Sequence, residues 1–336
     1  MLAAKLLTDQ GVAVTGLTFT TPFFGAQKSR EAAKQLGIPL KVIDISKEHF
    51  AILKKPQYGY GKNVNPCIDC HGLMFKKAKE LVLTKGESAS GGKKEGFDFV
   101  ATGEVLGQRP MSQNKQALKI VEKLSGLEGK ILRPMSAKLL PETEIEKKEL
   151  VNRDRLLSIK GKSRKEQIAL AKKLGFKKYA TPGGGCLLTD PGYALRFKKL
   201  KEAFPYFDLD EAELIKHGRL FFDEEKLARR SHAKRDVVGD YLFLVGRKHQ
   251  ENLELKKVAG KNDILLEVKE IPGPITLLHF FRVTKQPVPA ATKKAALKKA
   301  AEKTVRYANR RVREKDEVVV SAGEEEIAIK AKKVFN

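Results

Sequence analysis

Val12-Ala13-Val14-Thr15-Gly16-Leu17-Thr18-Phe19 is an apolar, β-rich run and reads as a strand. Helices flank it. Upstream, residues 1–10 put Leu2, Ala3, Leu6 and Leu7 on one helical face. Downstream, residues 27–36 read as a helix closed by Gly37, where a left-handed residue is needed. Residues 40–45 form the next strand and 71–84 the next helix. Residues 97–102 make a third strand, which runs into Gly103-Glu104. Alternation of this kind builds a parallel sheet, with the ligand site at the carboxyl ends of its strands. Further along, 116–124 and 164–174 read as helices and 131–134 as an extended segment. Residues 85–96, rich in Gly and Ser, read as a surface insertion.

The character changes near residues 203–210. Residues 240–245, 264–268 and 275–281 alternate as strands, separated by turn signals such as Gly260-Lys261-Asn262-Asp263 and Pro272-Gly273-Pro274. A Lys/Ala-rich helix over 290–313 precedes two short strands, 317–321 and 326–330. Strands followed by a helix and a hairpin describe a small α+β domain. The expected organisation is therefore an α/β domain over 1–203 and an α+β domain over 204–336, without internal repeats.

Lys+Arg number 66 against 41 Asp+Glu, a net charge of +25. A surface that basic attracts polyanions, of which nucleic acid is the usual soluble one, although abundant lysine also serves solubility. No apolar run approaches the roughly 18 residues of a membrane span, and the amino terminus carries no secretory pattern. The expected location is the cytoplasm, with no membrane partner. Basic clusters occur at 153–155, 229–230 with 234–235, 293–299 and 310–313.

Only three cysteines occur. Cys67 and Cys70 form a C-x-x-C within Asn65-Pro66-Cys67-Ile68-Asp69-Cys70-His71, and Cys186 follows Pro182-Gly183-Gly184-Gly185. Three cysteinyl ligands can cap one face of a cubane cluster and leave one iron open. The same pattern also suits a disulfide, or an incomplete zinc site with one buried cysteine. Asp69 reads as a surface residue. His71 reads as a helix-start residue, with an outer-shell or phosphate-contacting role as the alternative.

Several short runs occur in a telling order. They are Gly16-Leu17-Thr18-Phe19, Asn65-Pro66-Cys67-x-x-Cys70, Ala101-Thr102-Gly103-Glu104, Gly107-Gln108, Ser112-Gln113 and Ile131-Leu132-Arg133-Pro134. Over residues 1–200 the chain thereby resembles the PP-loop (HUP-like) tRNA thiolation enzymes, nearest to the 4-thiouridine synthetases, with the 2-thiouridylases more distant. Residues 241–280 are similar to the RNA-binding domain of NFACT-type proteins, through Leu244-Val245-Gly246-Arg247, Asn252, Leu255, Asn262-Asp263 and Pro272-Gly273.

The resemblance implies tRNA uridine thiolation with ATP and Mg, a 4Fe–4S cluster, and a sulfur donor that is either a cysteine desulfurase or sulfide. It places Cys67, Cys70 and Cys186 as cluster ligands, with Cys67 and Cys186 in sulfur transfer. Thr18, Phe19, Gly103 and Gln113 fall near the nucleotide, and Arg247 and Lys248 on the RNA side. The family's Ser-Gly-Gly-x-Asp-Ser pyrophosphate loop has no counterpart here. Met1-Leu2-Ala3-Ala4-Lys5 matches the helix just after that loop, and Ser90-Gly91-Gly92 continues into Lys93-Lys94. The expected first domain thus lacks its first strand, and weak ATP binding is expected of residues 1–336. The rival expectation is a non-catalytic RNA-binding protein on a degenerate PP-loop scaffold.

Overall fold

A computed structural model describes residues 1–83, 96–179, 185–223, 240–281 and 287–335. They form two compact units, Met1–Pro191 and Gly192–Asn336. The change of composition near 203–210 thus falls inside the second unit. All but the last residue of the surface insertion read at 85–96, most of the Gly-rich loop before Cys186 and the basic cluster at 229–230 with 234–235 lie outside the described residues, as do the side chains of Arg310 and Arg313.

The first unit is α/β. Helix α1 (Leu2–Thr8) precedes strand β1 (Gly16–Thr20), and α2 (Gln27–Leu36) crosses to β2 (Leu40–Asp44). Gly37 ends α2 in the left-handed region, φ 65°, where a residue without Cβ is unstrained. Next come α3 (Ser46–Lys54) and α4 (Cys67–Leu83), then β3 (Val100–Ala101), α5 (Lys115–Ser125) and β4 (Ile131–Leu132), and finally α6 (Glu144–Lys147) and α7 (Lys165–Lys173). Asn114 caps α5, its side chain accepting from the Ala117 N–H at 2.8 Å, and Thr143 with Glu146 makes a capping box on α6.

Two differences from the sequence reading bear on the site. The strands make two separate parallel pairs, β1–β2 and β3–β4, not one continuous sheet. Helix α4 starts at Cys67, so the cysteine pair occupies its first turn and does not lie in a loop ahead of it.

The second unit is α+β. Its sheet has six strands in the order β10-β9-β7-β8-β6-β5, all antiparallel. These are β5 (Arg219–Phe222), β6 (Tyr241–Val245), β7 (Ile264–Val268), β8 (Thr276–Phe280), β9 (Glu317–Ala322) and β10 (Glu325–Lys330). The helices are α8 (Pro191–Ala203), which starts at the last residue of the first unit, α9 (Leu209–Leu214), α10 (His249–Val258), α11 (Ala290–Arg306), α12 (Arg310–Arg313) and α13 (Ala331–Phe335). The helix expected over 290–313 is broken after Arg306, and Asn309 caps the short second piece by accepting from the Arg311 N–H.

Helix α11 covers one face of this sheet. Its Ala296, Ala300, Ala301 and Val305 bury against Tyr241, Phe243, Leu266 and Val320. The small alanines let helix and sheet approach closely, and Thr304 reaches Thr276 on β8 by a buried 2.7 Å hydroxyl hydrogen bond. Phe204, Phe207, Phe197 and Phe281 are buried in an aromatic cluster, with Phe204 and Phe281 ring centroids 4.3 Å apart. Every residue of β6 is buried, which explains its unbroken apolar sequence Tyr-Leu-Phe-Leu-Val. Among the described residues, no helix is long and apolar enough to cross a membrane.

Candidate functional site

The site is assembled in the first unit around the amino end of α4. The Cys70 N–H bonds the Pro66 carbonyl at 2.8 Å and the Cys67 N–H bonds the Asn65 carbonyl at 3.0 Å, which fixes the tight turn that presents both thiols. Gly61 lies against the Cys67 sulfur: a Cβ added there would stand 3.4 Å from it. Asp69 is not a surface residue. It is buried and accepts the backbone N–H groups of Gln57 and Tyr58 at 3.0 and 3.1 Å, tying the preceding loop to the helix.

Cys186 arrives from far along the chain. The segment after it is bound to the first third at three points. Val64 N–H donates to the Leu188 carbonyl at 3.2 Å, the Asn63 side-chain amide donates to the Thr189 carbonyl at 2.7 Å, and Leu187 N–H donates to the Phe23 carbonyl at 2.9 Å. Asn63 makes this tie with φ 60°, a left-handed conformation that Asn tolerates.

The three thiols are free and near enough to act on one another electrostatically. Burial pushes the Cys67 thiol up, against a smaller opposing pull from the Arg109 guanidinium. Burial, then the neighbouring Cys186 and Cys67, drive the Cys70 thiol far up. Burial raises Cys186 to about 11, with the Leu188 N–H and Arg109 working the other way. A thiol at a helix start ordinarily ionises more readily; here desolvation wins.

Among the described residues, no three His, Cys, Asp or Glu side chains are gathered to hold a single metal ion. A cubane differs from an ion in that it offers a separate iron to each sulfur, so its ligands stand farther apart than three donors on one ion. The donor set, one buried and two half-buried thiols that all resist ionising unaided, is chemically suited to such a group, since metal ligation deprotonates thiols outright.

A second set of residues lies behind the pair. His71 Nδ1 is 2.9 Å from Glu104 Oε1, and Arg133 Nε donates to Glu104 Oε2 at 3.1 Å. Arg133 Nη1 continues to Glu122 Oε1 at 2.5 Å. Although burial opposes its ionisation, contacts with His71 and Arg133 hold the Glu104 carboxyl below its ordinary value. His71 is thus positioned by Glu104 and is more than a helix-start residue.

Thr18, Phe19, Gly103 and His71 line one cavity of about 1020 Å³. Thr18 Oγ1 is also 2.9 Å from Ser29 Oγ on α2. Gln113 is not among the residues lining this cavity. It is buried, its backbone closes the turn to Gly107 at 2.7 Å and to Arg109 at 2.9 Å, and its Oε1 has no partner. That turn carries Arg109, a residue the sequence reading passed over. Its one signal was its place in Gly107-Gln108-Arg109-Pro110, next to a motif already singled out. A neighbouring cavity of about 820 Å³ is lined by Gly103, Gln108, Lys28 and Arg164.

The basic residues divide. Arg153 is engaged internally, donating to the Ala137 and Leu140 carbonyls at 2.8 and 3.0 Å and pairing with Glu146. In the second unit Arg247 is exposed but paired with Glu251, to which its Nε donates at 2.9 Å. Lys248, Lys294 and Lys298 are exposed.

No family model matches this chain, and no curated protein matches it. Among solved structures, the C-terminal part of the fibronectin/fibrinogen-binding protein from Streptococcus suis aligns over 92% of this chain and 85% of its own, at 16% identity and a TM-score of 0.19.

Proposed function

We propose that this chain is a tRNA-thiolating sulfurtransferase with a PP-loop-type first unit and an RNA-binding second unit. The observation that supports this reading most is the gathering of Cys67, Cys70 and Cys186, beside Arg109, from positions far apart in sequence.

The chemistry has two halves. A uridine carbonyl oxygen is a poor leaving group. Attack of that oxygen on the α-phosphorus of Mg-bound ATP releases pyrophosphate and turns the oxygen into part of an AMP leaving group. A sulfur nucleophile then adds to the ring carbon, and AMP departs with the former carbonyl oxygen. Cys67, Cys70 and Cys186 would hold a 4Fe–4S cluster, which when bound supplies an open iron at which sulfide is held ready. Cys67 and Cys186 are half-buried, which limits solvent at the sulfur, and the Arg109 charge favours the anionic form of both. Thr18, Phe19 and Gly103 would border the adenine, and Glu104 would fix the His71 ring at the cavity wall. Exposed lysines of the second unit would meet tRNA phosphates, giving affinity and salt dependence, not sequence reading.

The test is to purify the chain without oxygen, measure iron and acid-labile sulfide, and incubate it with tRNA, ATP, Mg and sulfide before nucleoside mass spectrometry. Thiouridine formed at ATP concentrations high enough to offset the weak binding expected without the pyrophosphate loop, and lost in each of Cys67→Ser, Cys70→Ser and Cys186→Ser, is the expected result. Iron-free protein that yields no thiouridine with either sulfide or a cysteine desulfurase would refute the reading.

A further inference from the structure

Tyr307 closes α11, its N–H donating to the Lys303 carbonyl at 3.2 Å, and the residue is 39% exposed. Its ring does not stand alone. The Arg219 guanidinium lies 4.6 Å from the ring centroid, and the Phe221 ring lies 5.7 Å away at an interplanar angle of 36°. Lys303 Nζ in turn lies 5.1 Å over the Phe221 ring. Two aromatic rings and two cations thus interleave at one place on the second unit.

Periodicity brings them together. Arg219 and Phe221 are two apart on β5 and so share one of its faces. Lys303 and Tyr307 are four apart at the end of α11, and Arg306, three beyond Lys303, falls on the same helical face. Strand β5 is last in the order of its sheet, paired with β6 alone among the described strands. Phe221 ties the group to the core, because its ring stacks on Phe243 at 5.4 Å and 19°.

Folding alone gives no reason for this arrangement. A core gains from apolar groups that are taken out of water, yet Tyr307 and Arg306 are exposed, and Arg219, Phe221 and Lys303 are only half-buried. Nor is the charge spent on the nearest carboxylate in sequence. Asp223, which follows β5, is held by Lys299 Nζ at 2.8 Å and by the Tyr241 hydroxyl at 2.9 Å. Glu302 precedes Lys303 directly, which sets it about 100° around the helix from that residue.

We propose that Arg219, Phe221, Lys303, Arg306 and Tyr307 form a platform for single-stranded RNA. An unpaired base stacks against Tyr307 and the Arg219 guanidinium, while Lys303 and Arg306 take the phosphates beside it. The proposal rests on the reading of the second unit as RNA-binding and adds the strand state that it selects. The chain has no Trp, so stacking falls to Tyr, Phe and Arg. A base can lie on a protein ring only when it is unpaired, because a duplex keeps its base faces inside the stack. Phosphate contacts alone would favour the duplex, which is the denser polyanion. An acidic peptide would use the cations and leave both rings idle.

The test uses the full chain and a fluorescein-labelled RNA of mixed sequence, about 12 nucleotides long, offered alone and annealed to its complement. Anisotropy should show Tyr307→Ala binding the single strand about tenfold or more weakly, with the slope of log K against log salt unchanged. Duplex binding should move by less than about twofold in the same variant. Tyr307→Phe keeps the ring and should hold the single-strand affinity to within about twofold. Lys303→Gln should instead lower the single-strand salt slope by about 0.7. Equal weakening of single strand and duplex by Tyr307→Ala, or no weakening of either, overturns the platform and leaves the RNA-binding reading standing. Failure of the wild-type chain to bind either RNA at low salt overturns both.

Discussion

Replacing His279 should remove a pH-dependent part of the second unit's stability. His279 lies on β8 with its side chain 13% exposed, Nε2 at 3.0 Å from Glu211 and Nδ1 at 2.8 Å from Asp263. Burial alone would push this imidazole down, but the two carboxylates outweigh it and raise the group to about 9 from an ordinary 6.5. The folded state therefore holds the proton more tightly than the unfolded chain. Its contribution is fully present below pH 6.5 and is lost as pH rises toward 9. Raising the group from 6.5 to about 9 corresponds to roughly 3 kcal/mol, of which some 2 to 3 kcal/mol should vanish between pH 6.5 and 9. Glu211, held down to about 2 against its burial, owes this first to His279 and then to hydrogen bonds with Asp208, so the His279 part of it is the same ion pair and is not added again. The assay is urea unfolding of the wild-type chain and His279→Gln at half-unit steps across that range, followed by near-ultraviolet signals and the difference taken. His279→Gln should be weaker at pH 6.5 by about that amount and should converge on the wild type by pH 9. A difference that is flat with pH would refute the reasoning, since it would mean that His279 is not charged in the fold.

Three further outcomes are expected. Arg109→Ala removes a cation that favours the thiolates of Cys67 and Cys186, so iodoacetamide should modify both about threefold more slowly at pH 8 while Cys70 is unaffected; unchanged rates would place Arg109 outside the site. Gly103→Ala meets nothing within 4 Å, so the melting temperature should move by no more than about 2 °C, whereas any ATP affinity measured by calorimetry should fall about tenfold or more because the new methyl projects into space a nucleotide would use. Glu251→Gln frees Arg247 from its ion pair, so the slope of log K against log salt for RNA binding should steepen by up to about 0.9; no change would remove Arg247 from the RNA face.

Much of the local structure was legible in the sequence because its causes are local. Helical spacing of Leu2, Ala3, Leu6 and Leu7, a left-handed stop at Gly37 and the turn signal Gly260-Lys261-Asn262-Asp263 each act within a few residues. The break after Arg306 was harder to see, since Lys and Ala continue a helical composition while Asn309 restarts the helix by capping. Strand β5 escaped because its apolar run is short, and α3 because it lies between a strand and a glycine-containing loop with no strong punctuation of its own.

The candidate site divides along the same line. Composition and spacing alone marked Cys67, Cys70 and Cys186 as the chain's metal- or thiol-bearing residues. They could not say whether Cys186 reaches the pair. That depends on hydrogen bonds between Asn63-Val64 and Leu188-Thr189, over more than a hundred residues of separation. Only the tertiary structure brought Arg109 to the thiols, buried Asp69 as a backbone acceptor, joined His71 to Glu104 and Arg133, and paired Arg247 with Glu251. Only it left the parallel strands in two separate pairs. The physical reason is common to all of these. Periodicity and caps are short-range and written into neighbouring residues, whereas desolvation, charge pairing and sheet order depend on which distant segments fold against each other.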